Sequence, residues 1–257
     1  TIGSYDTGVA LNGLAEARST VVEAHIQVDT GMGYGGFLSG EPDKILSMYR
    51  YLPNVAISGI YTQMHAAAGG ERGASAQLEE FQRVVEAVHA AGFETGVIHA
   101  AGSSALMNYE FARLDAVRVA SAFLGRCRRT RGDGLQKVGY GEATLEEIRW
   151  LPKGHTVGNS RLITMKKPTR VAVLPVGYQN GLGAQRPRES GLAALLRYWW
   201  GTRRQSVHIG DQRARVIGQI GALETLVDVT ELKCKPGDIA VFDLDPLYAR
   251  GMKREYR

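Results

Sequence analysis

The sequence predicts an α/β region followed by a β region. Three observations carry this. Strand-like and helix-like segments alternate from residue 21 to residue 124, the pattern of βαβ units and a parallel sheet. From residue 133 onward, helical periodicity gives way to short strand-like runs separated by Gly, Pro and polar turns. Of 257 residues, 44% are hydrophobic and 22% charged, which supports packed cores and excludes wholesale disorder. The domains are therefore drawn as 1–132 and 133–257.

The elements follow in order. Val21 to Asp29 reads as a strand that runs into the turn Thr30-Gly31-Met32-Gly33. Residues 42–52 read as a short helix with Ile45, Leu46, Tyr49 and Leu52 on one face. Ala56 to Met64 is a second strand. Residues 74–91 give the clearest helix, with Leu78, Phe81, Val84, Val85 and Val88 at three- and four-residue spacing and Gly92 as its stop. Glu94 to Ala101 is a third strand, Ser104 to Tyr109 a short helix and Ala116 to Leu124 a fourth strand. The β region holds Val138–Trp150, Val157–Lys166, Arg170–Pro175, Val207–Ile209, Ala214–Ile220, Thr225–Val229 and Asp238–Phe242. Residues 181–204 read as an exposed loop with a short apolar segment.

Composition narrows the function classes. Lys and Arg total 31 against 26 Asp and Glu, a net charge of +5. The excess is local: Arg126, Arg128, Arg129 and Arg131 form one cluster, Arg203 and Arg204 another. No aromatics interleave them, so they read as solvated loops and not as a nucleic-acid surface. Two cysteines, Cys127 and Cys234, cannot cage a metal, and a disulfide is not expected in what reads as a cytoplasmic chain. No run reaches about 18 apolar residues, so no membrane helix is expected. The opening Thr1-Ile2-Gly3-Ser4-Tyr5-Asp6 has no signal-peptide pattern and no Met, which suits a part of something longer.

Four segments carry chemistry. Val28-Asp29-Thr30-Gly31-Met32-Gly33 is a Gly-rich turn at the C-terminal end of a strand, where barrel enzymes keep their active sites. His99-Ala100-Ala101-Gly102-Ser103-Ser104 brings hydroxyls to the start of a helix, as either a phosphate contact or a helix cap. Val117 to Gly125 places Arg118 inside a strand read as buried, where it needs an acceptor. Val173-Leu174-Pro175-Val176-Gly177-Tyr178-Gln179-Asn180-Gly181 is the fourth. A full (β/α)8 barrel takes about 250 residues. Residues 1–132 supply only half of one, which leaves two sheet edges and an apolar interior open.

In this order the segments resemble the alanine racemase family, barrel enzymes that use pyridoxal phosphate (PLP). Leu145-Glu146-Glu147-Ile148-Arg149-Trp150, Pro152-Lys153-Gly154-His155-Thr156-Val157-Gly158 and Arg254-Glu255-Tyr256-Arg257 belong to the same pattern. The resemblance implies the second half of a PLP-binding (β/α)8 TIM-type barrel followed by a C-terminal antiparallel β domain. It also implies an isomerase that interconverts L- and D-alanine or a similar small amino acid, in cell-wall supply, as a cytoplasmic homodimer. By position, Arg118 matches the arginine at the PLP ring nitrogen, and Ser103, Ala120, Ser121 and Tyr248 match phosphate contacts. Tyr178 matches a substrate-pocket tyrosine.

The same resemblance exposes departures. The Schiff-base lysine lies at the end of a first barrel strand that precedes these residues. No lysine present (Lys44, Lys137, Lys153, Lys166, Lys167, Lys233, Lys235 or Lys253) replaces it. Asn159 stands at the catalytic tyrosine position and cannot exchange a proton at neutral pH. In the substrate pocket, Tyr34 replaces an arginine and Gln63 a histidine, with His65 nearby; two residues before Asp29, Gln27 replaces a lysine. Gly221-Ala222-Leu223 replaces a Cys-Met-Asp segment, so Ala222 is a pocket position. The expectation is a chain inactive alone, either needing an N-terminal half or acting as a non-catalytic relative that binds PLP or a partner subunit. It is expected as a homodimer or such a complex, with no metal.

Overall fold

The computed structural model describes residues 1–65, 70–127, 134–158, 163–183 and 205–256. Two compact units are present, Thr1–Lys137 and Val138–Arg257.

The first unit opens with α1 (Tyr5–Ala17), whose N-cap Ser4 accepts from Thr7 N at 3.2 Å. No periodicity in the sequence marks this helix, because Gly8 and Gly13 interrupt any apolar stripe. Then follow β1 (Val22–Asp29), β2 (Phe37–Leu38), α2 (Pro42–Tyr51), β3 (Val55–Thr62), α3 (Glu71–Ala90), β4 (Val97–Gly102), α4 (Ser103–Asn108) and β5 (Ala116–Arg118). The five strands form one parallel sheet in the order β2-β1-β3-β4-β5. Alternate strand residues Ala24, Ile26, Val28, Ile60 and Ala100 join Ile45, Met48, Leu78, Phe81, Val85 and Val88 of α2 and α3 in one core. Phe81, Ile26 and Ile60 are fully buried there.

The opposite face corrects the expected apolar interior. It carries His25 and Gln27 of β1, Tyr61 of β3, His99 of β4 and Arg118 of β5, linked by hydrogen bonds and ring contacts. Strand alternation explains this: the sequence His25-Ile26-Gln27-Val28-Asp29 sends apolar residues to the helices and polar ones away from them.

Two strand limits also change. Residues 94–96 precede β4, with Gly96 at φ 68. The strand expected to run to Leu124 ends at Arg118, and β5 is a partly exposed edge and not a buried strand. Beyond it the chain turns, with Leu124 N donating to Ala120 O and Gly125 N to Ala122 O at 3.3 and 3.0 Å. Ser103 Oγ accepts the Ala120 and Ala122 amides, which pulls them out of any ladder.

The second unit is antiparallel. It comprises β6 (Gly141–Thr144), β7 (Glu147–Leu151), β8 (Thr156–Val157), β9 (Ile163–Thr164), β10 (Thr169–Leu174), β11 (Ser206–Ile209), β12 (Gln212–Ile217), β13 (Thr225–Asp228) and β14 (Ile239–Phe242). Seven strands make a sheet in the order β6-β14-β11-β12-β13-β10-β7. Its end strands β6 and β7 are neighbours in sequence, so the sheet curls. Residues 138–150 therefore give two strands, parted where Leu145 N donates to Asp238 O at 2.9 Å. Leu145, Ala172, Leu174, Val207, Val227 and Phe242 fill its core. β8 and β9 form a separate hairpin. The segment 184–204 lies outside the described residues, as do Asn159, Arg128, Arg129 and Arg131.

Candidate functional site

A linked polar cluster of the first unit sits on the sheet face away from the α2 and α3 core and at the C-terminal ends of the strands. Register brings it together. His25 pairs with Gly59, Gln27 with Tyr61, and Tyr61 with His99. At Gly59 an added Cβ would lie 2.5 Å from His25 Cε1, so glycine makes room for the imidazole across the strand.

Arg118 is the hub. One Nη2 hydrogen goes to Thr62 O at 2.9 Å and the other to Gln63 Oε1 at 2.8 Å. Nη1 donates to His99 Nδ1. The guanidinium lies over the Tyr61 ring, 4.2 Å from its centroid, and that ring stacks on His99 at 4.9 Å. Arginine cannot accept a hydrogen bond, so His99 Nδ1 must be the bare nitrogen. The His99 proton then sits on Nε2 and is donated to His25 Nδ1 at 2.8 Å. Burial, the Arg118 charge and His25 push His99 down to about 4, partly offset by Asp115. A neutral His99 acceptor is therefore the form that holds Arg118.

The Gly-rich turn is locked from within. Asp29 Oδ1 accepts from the amides of Gly31, Met32 and Gly33 at 2.8, 2.7 and 3.2 Å. Gly31 has φ 130, a conformation that L side chains rarely adopt. Thr30 Oγ1 bonds Thr62 Oγ1 at 2.7 Å, and the buried Gln77 Nε2 donates to Thr30 Oγ1 and to Gln63 O at 2.9 and 3.0 Å. Gln27 accepts from Tyr61 OH at 2.9 Å and donates to Gly35 O at 3.3 Å. Tyr34 is exposed in this turn.

Ser103 does not cap α4 with its side chain; Gly102 is the N-cap. Ser103 Oγ instead accepts from Ala120 N and Ala122 N at 2.9 and 3.1 Å. Its own hydroxyl hydrogen is left to donate. Ser121 lies between those two residues, at the start of the turn, and its carbonyl accepts from Arg126 N at 2.7 Å.

In the second unit, three loops meet. Tyr178 N donates to Gly221 O at 2.9 Å and Gln179 N to Ala222 O at 3.0 Å. Asn180 exchanges hydrogen bonds of 3.3 Å with the main chain of Arg250, close after Tyr248. Tyr178, Ala222 and Tyr248 thus belong to one corner, with both tyrosine side chains half-exposed. Lys44 lies on α2, ion-paired with Glu41 at 2.8 Å.

The family resemblance marks Arg118, Ser103 and Gln63 in the sequence, but not the residues that support them. His25, Tyr61 and Gln77 were read as strand or helix residues. The available signal was polar residues at every second strand position, facing away from the helices.

The donor set suits PLP at two ends. Arg118 retains its Nε–H and one Nη1–H without an acceptor among the described residues, as a ring nitrogen requires. Ser103 offers a hydroxyl to a phosphate. Among the described residues, no group of His, Cys, Asp and Glu could hold a metal ion.

Comparison with known proteins gives the family. Residues 1–126 match the family model "Alanine racemase, N-terminal domain" and residues 138–245 "Alanine racemase, C-terminal domain". An alanine racemase of Clostridium novyi is 29% identical over 94% of this chain and 59% of its own length. One of Desulfosudis oleivorans is 32% identical over 71% of this chain and 50% of its own length. The chain thus spans half to three-fifths of these curated relatives. Among solved structures, the alanine racemase of the D-cycloserine producer Streptomyces lavendulae matches with a TM-score of 0.77 at 21% identity, over 95% of this chain and 62% of its own. That of Bartonella henselae, with covalently bound pyridoxal phosphate, matches at 0.65 and 21%, over 94% of this chain and 63% of its own. Two family models in order, on the two units of the fold, settle the membership: the chain belongs to the alanine racemase family.

Proposed function

We propose that this chain binds PLP non-covalently through Arg118 and Ser103 and does not racemise alanine on its own. The observation that supports the reading is the Arg118 fork, fixed by Thr62, Gln63 and His99 with two N–H groups that have no acceptor among the described residues. When bound, PLP supplies an electron sink for the α-carbon of an amino acid. Arg118 would hold the ring nitrogen by hydrogen bond without giving up its proton, because a guanidinium stays charged. His99 keeps the guanidinium in place by accepting from it, and His25 fixes the tautomer of His99. Ser103 would donate to a phosphate oxygen, with Ala120 acting through Ser103 and the Ser121 amide beside them. Tyr178, Ala222 and Tyr248 would serve a site completed in a dimer.

Two-base racemisation needs a proton acceptor on one face of the α-carbon and a donor on the other, each worth about 10²–10⁴-fold. Within these 257 residues the lysine position is not represented, and Asn159 replaces the tyrosine. Activity would need both groups from another polypeptide segment. The test is D-alanine formation from L-alanine by the purified chain with PLP. A rate no higher than free PLP is expected; a higher rate that Arg118→Ala abolishes would overturn the reading.

A further inference from the structure

We infer that Gln63 is the positioning residue that sets Arg118 for its ligand, in the place where family resemblance expects a histidine. The inference rests on the PLP reading above and deepens it.

A guanidinium bound to a ring nitrogen must hold two orientations, the tilt of its plane and its rotation within that plane. Stacking on Tyr61 fixes the tilt. Rotation within the plane is held by His99 Nδ1 on Nη1 and by the two oxygens that take the Nη2 hydrogens, Thr62 O and Gln63 Oε1. Thr62 O is main chain and any residue there would supply it. Gln63 Oε1 is the side-chain oxygen of the fork. Its own backbone is pinned, since Gln63 O accepts from Gln77 Nε2 of α3, which also ties down Thr30. An added Cβ at Gly102 would lie 3.3 Å from Gln63 Nε2, so β4 closes on the amide from the far side. The amide thus lies between Gly102 and Arg118 on a pinned backbone and presents its oxygen to Arg118. An amide does not titrate, so it accepts from Arg118 at any pH, whereas a protonated imidazole could not accept at all.

The test uses the full chain, Gln63→Leu, Gln63→Glu, Arg118→Ala and the double variant Gln63→Leu/Arg118→Ala. Two readouts are taken: PLP affinity by absorbance titration, and side-chain ¹⁵N NMR of Arg118 without ligand, identified by its loss in Arg118→Ala. Gln63→Leu is expected to weaken PLP by ~3–10-fold. It is also expected to release the slow rotation of the Arg118 Nη2 group. Gln63→Glu, which keeps an oxygen acceptor, restores both. In the Arg118→Ala background, Gln63→Leu changes nothing further. Equal weakening in both backgrounds would overturn the inference, as would unchanged Arg118 rotation in Gln63→Leu. If wild-type chain binds no PLP while Gln63→Leu still frees Arg118, the PLP reading fails and the positioning of Arg118 stands.

Discussion

His99 shows how a single side chain can be fixed in one protonation state by its neighbours. Arg118 requires an acceptor on Nδ1, and His25 Nδ1 accepts a hydrogen bond from Nε2–H. Burial and the adjacent guanidinium hold His99 at about 4 against an ordinary 6.5. The sign follows: the unfolded chain binds this proton more readily, so the contribution to stability is complete above about pH 6.5 and fades as pH falls toward 4. Histidine Cε1–H NMR resonances should show one ring that stays neutral down to pH 5 and is identified by its absence in His99→Gln. A His99 titration near 6.5 would contradict the tautomer assignment. The order of four motifs singles out Arg118 and Ser103 in the sequence as the proposed site residues. The bonds that tie Arg118 to Thr62 and His99 to His25 are not legible there, because a hydrogen bond across 56 or 74 residues leaves no local spacing to read.

The elements that were legible are those with strong periodicity. For α3, the stripe from Leu78 to Val88 marks the buried face, though the helix begins at Glu71, ahead of the stripe. The strands β1, β3 and β10 emerge within a residue or two of their apolar runs. β5 was overextended because Val119 to Leu124 keeps strand composition while Ser103 draws its amides into a turn. The polar face of the parallel sheet was misjudged for a different reason: alternation reveals two faces but not what lies against each. Its packing gives a sharp expectation at Gly59. In Gly59→Ala the new Cβ would meet the His25 ring, costing about 1–3 kcal/mol. Urea unfolding checks this, with a lower midpoint and unchanged slope expected. An unchanged midpoint with an unmoved His25 resonance would show that the strand gives way without cost.

The sheet of the first unit ends on β2 and β5, and β2 pairs only with Val28 and Asp29 of β1. Ile2 adds a single bridge at Ile26, which leaves Val22 to Ala24 without a strand on that side among the described residues. Unpaired strand edges invite pairing with another chain. The face between them is polar, so the force for association lies in the edges more than in buried apolar area. Analytical ultracentrifugation at micromolar concentration should show species larger than a monomer; a monodisperse monomer with a cooperative melt would count against an edge-completed assembly. The cofactor reading has its most direct test in native mass spectrometry of the chain with PLP, before and after borohydride. The expected result is one PLP for each chain in native spectra, weakened in Arg118→Ala and absent once the protein is denatured, with or without borohydride. No complex at all, or a borohydride-stable adduct on one specific lysine, would contradict non-covalent binding at Arg118 and Ser103.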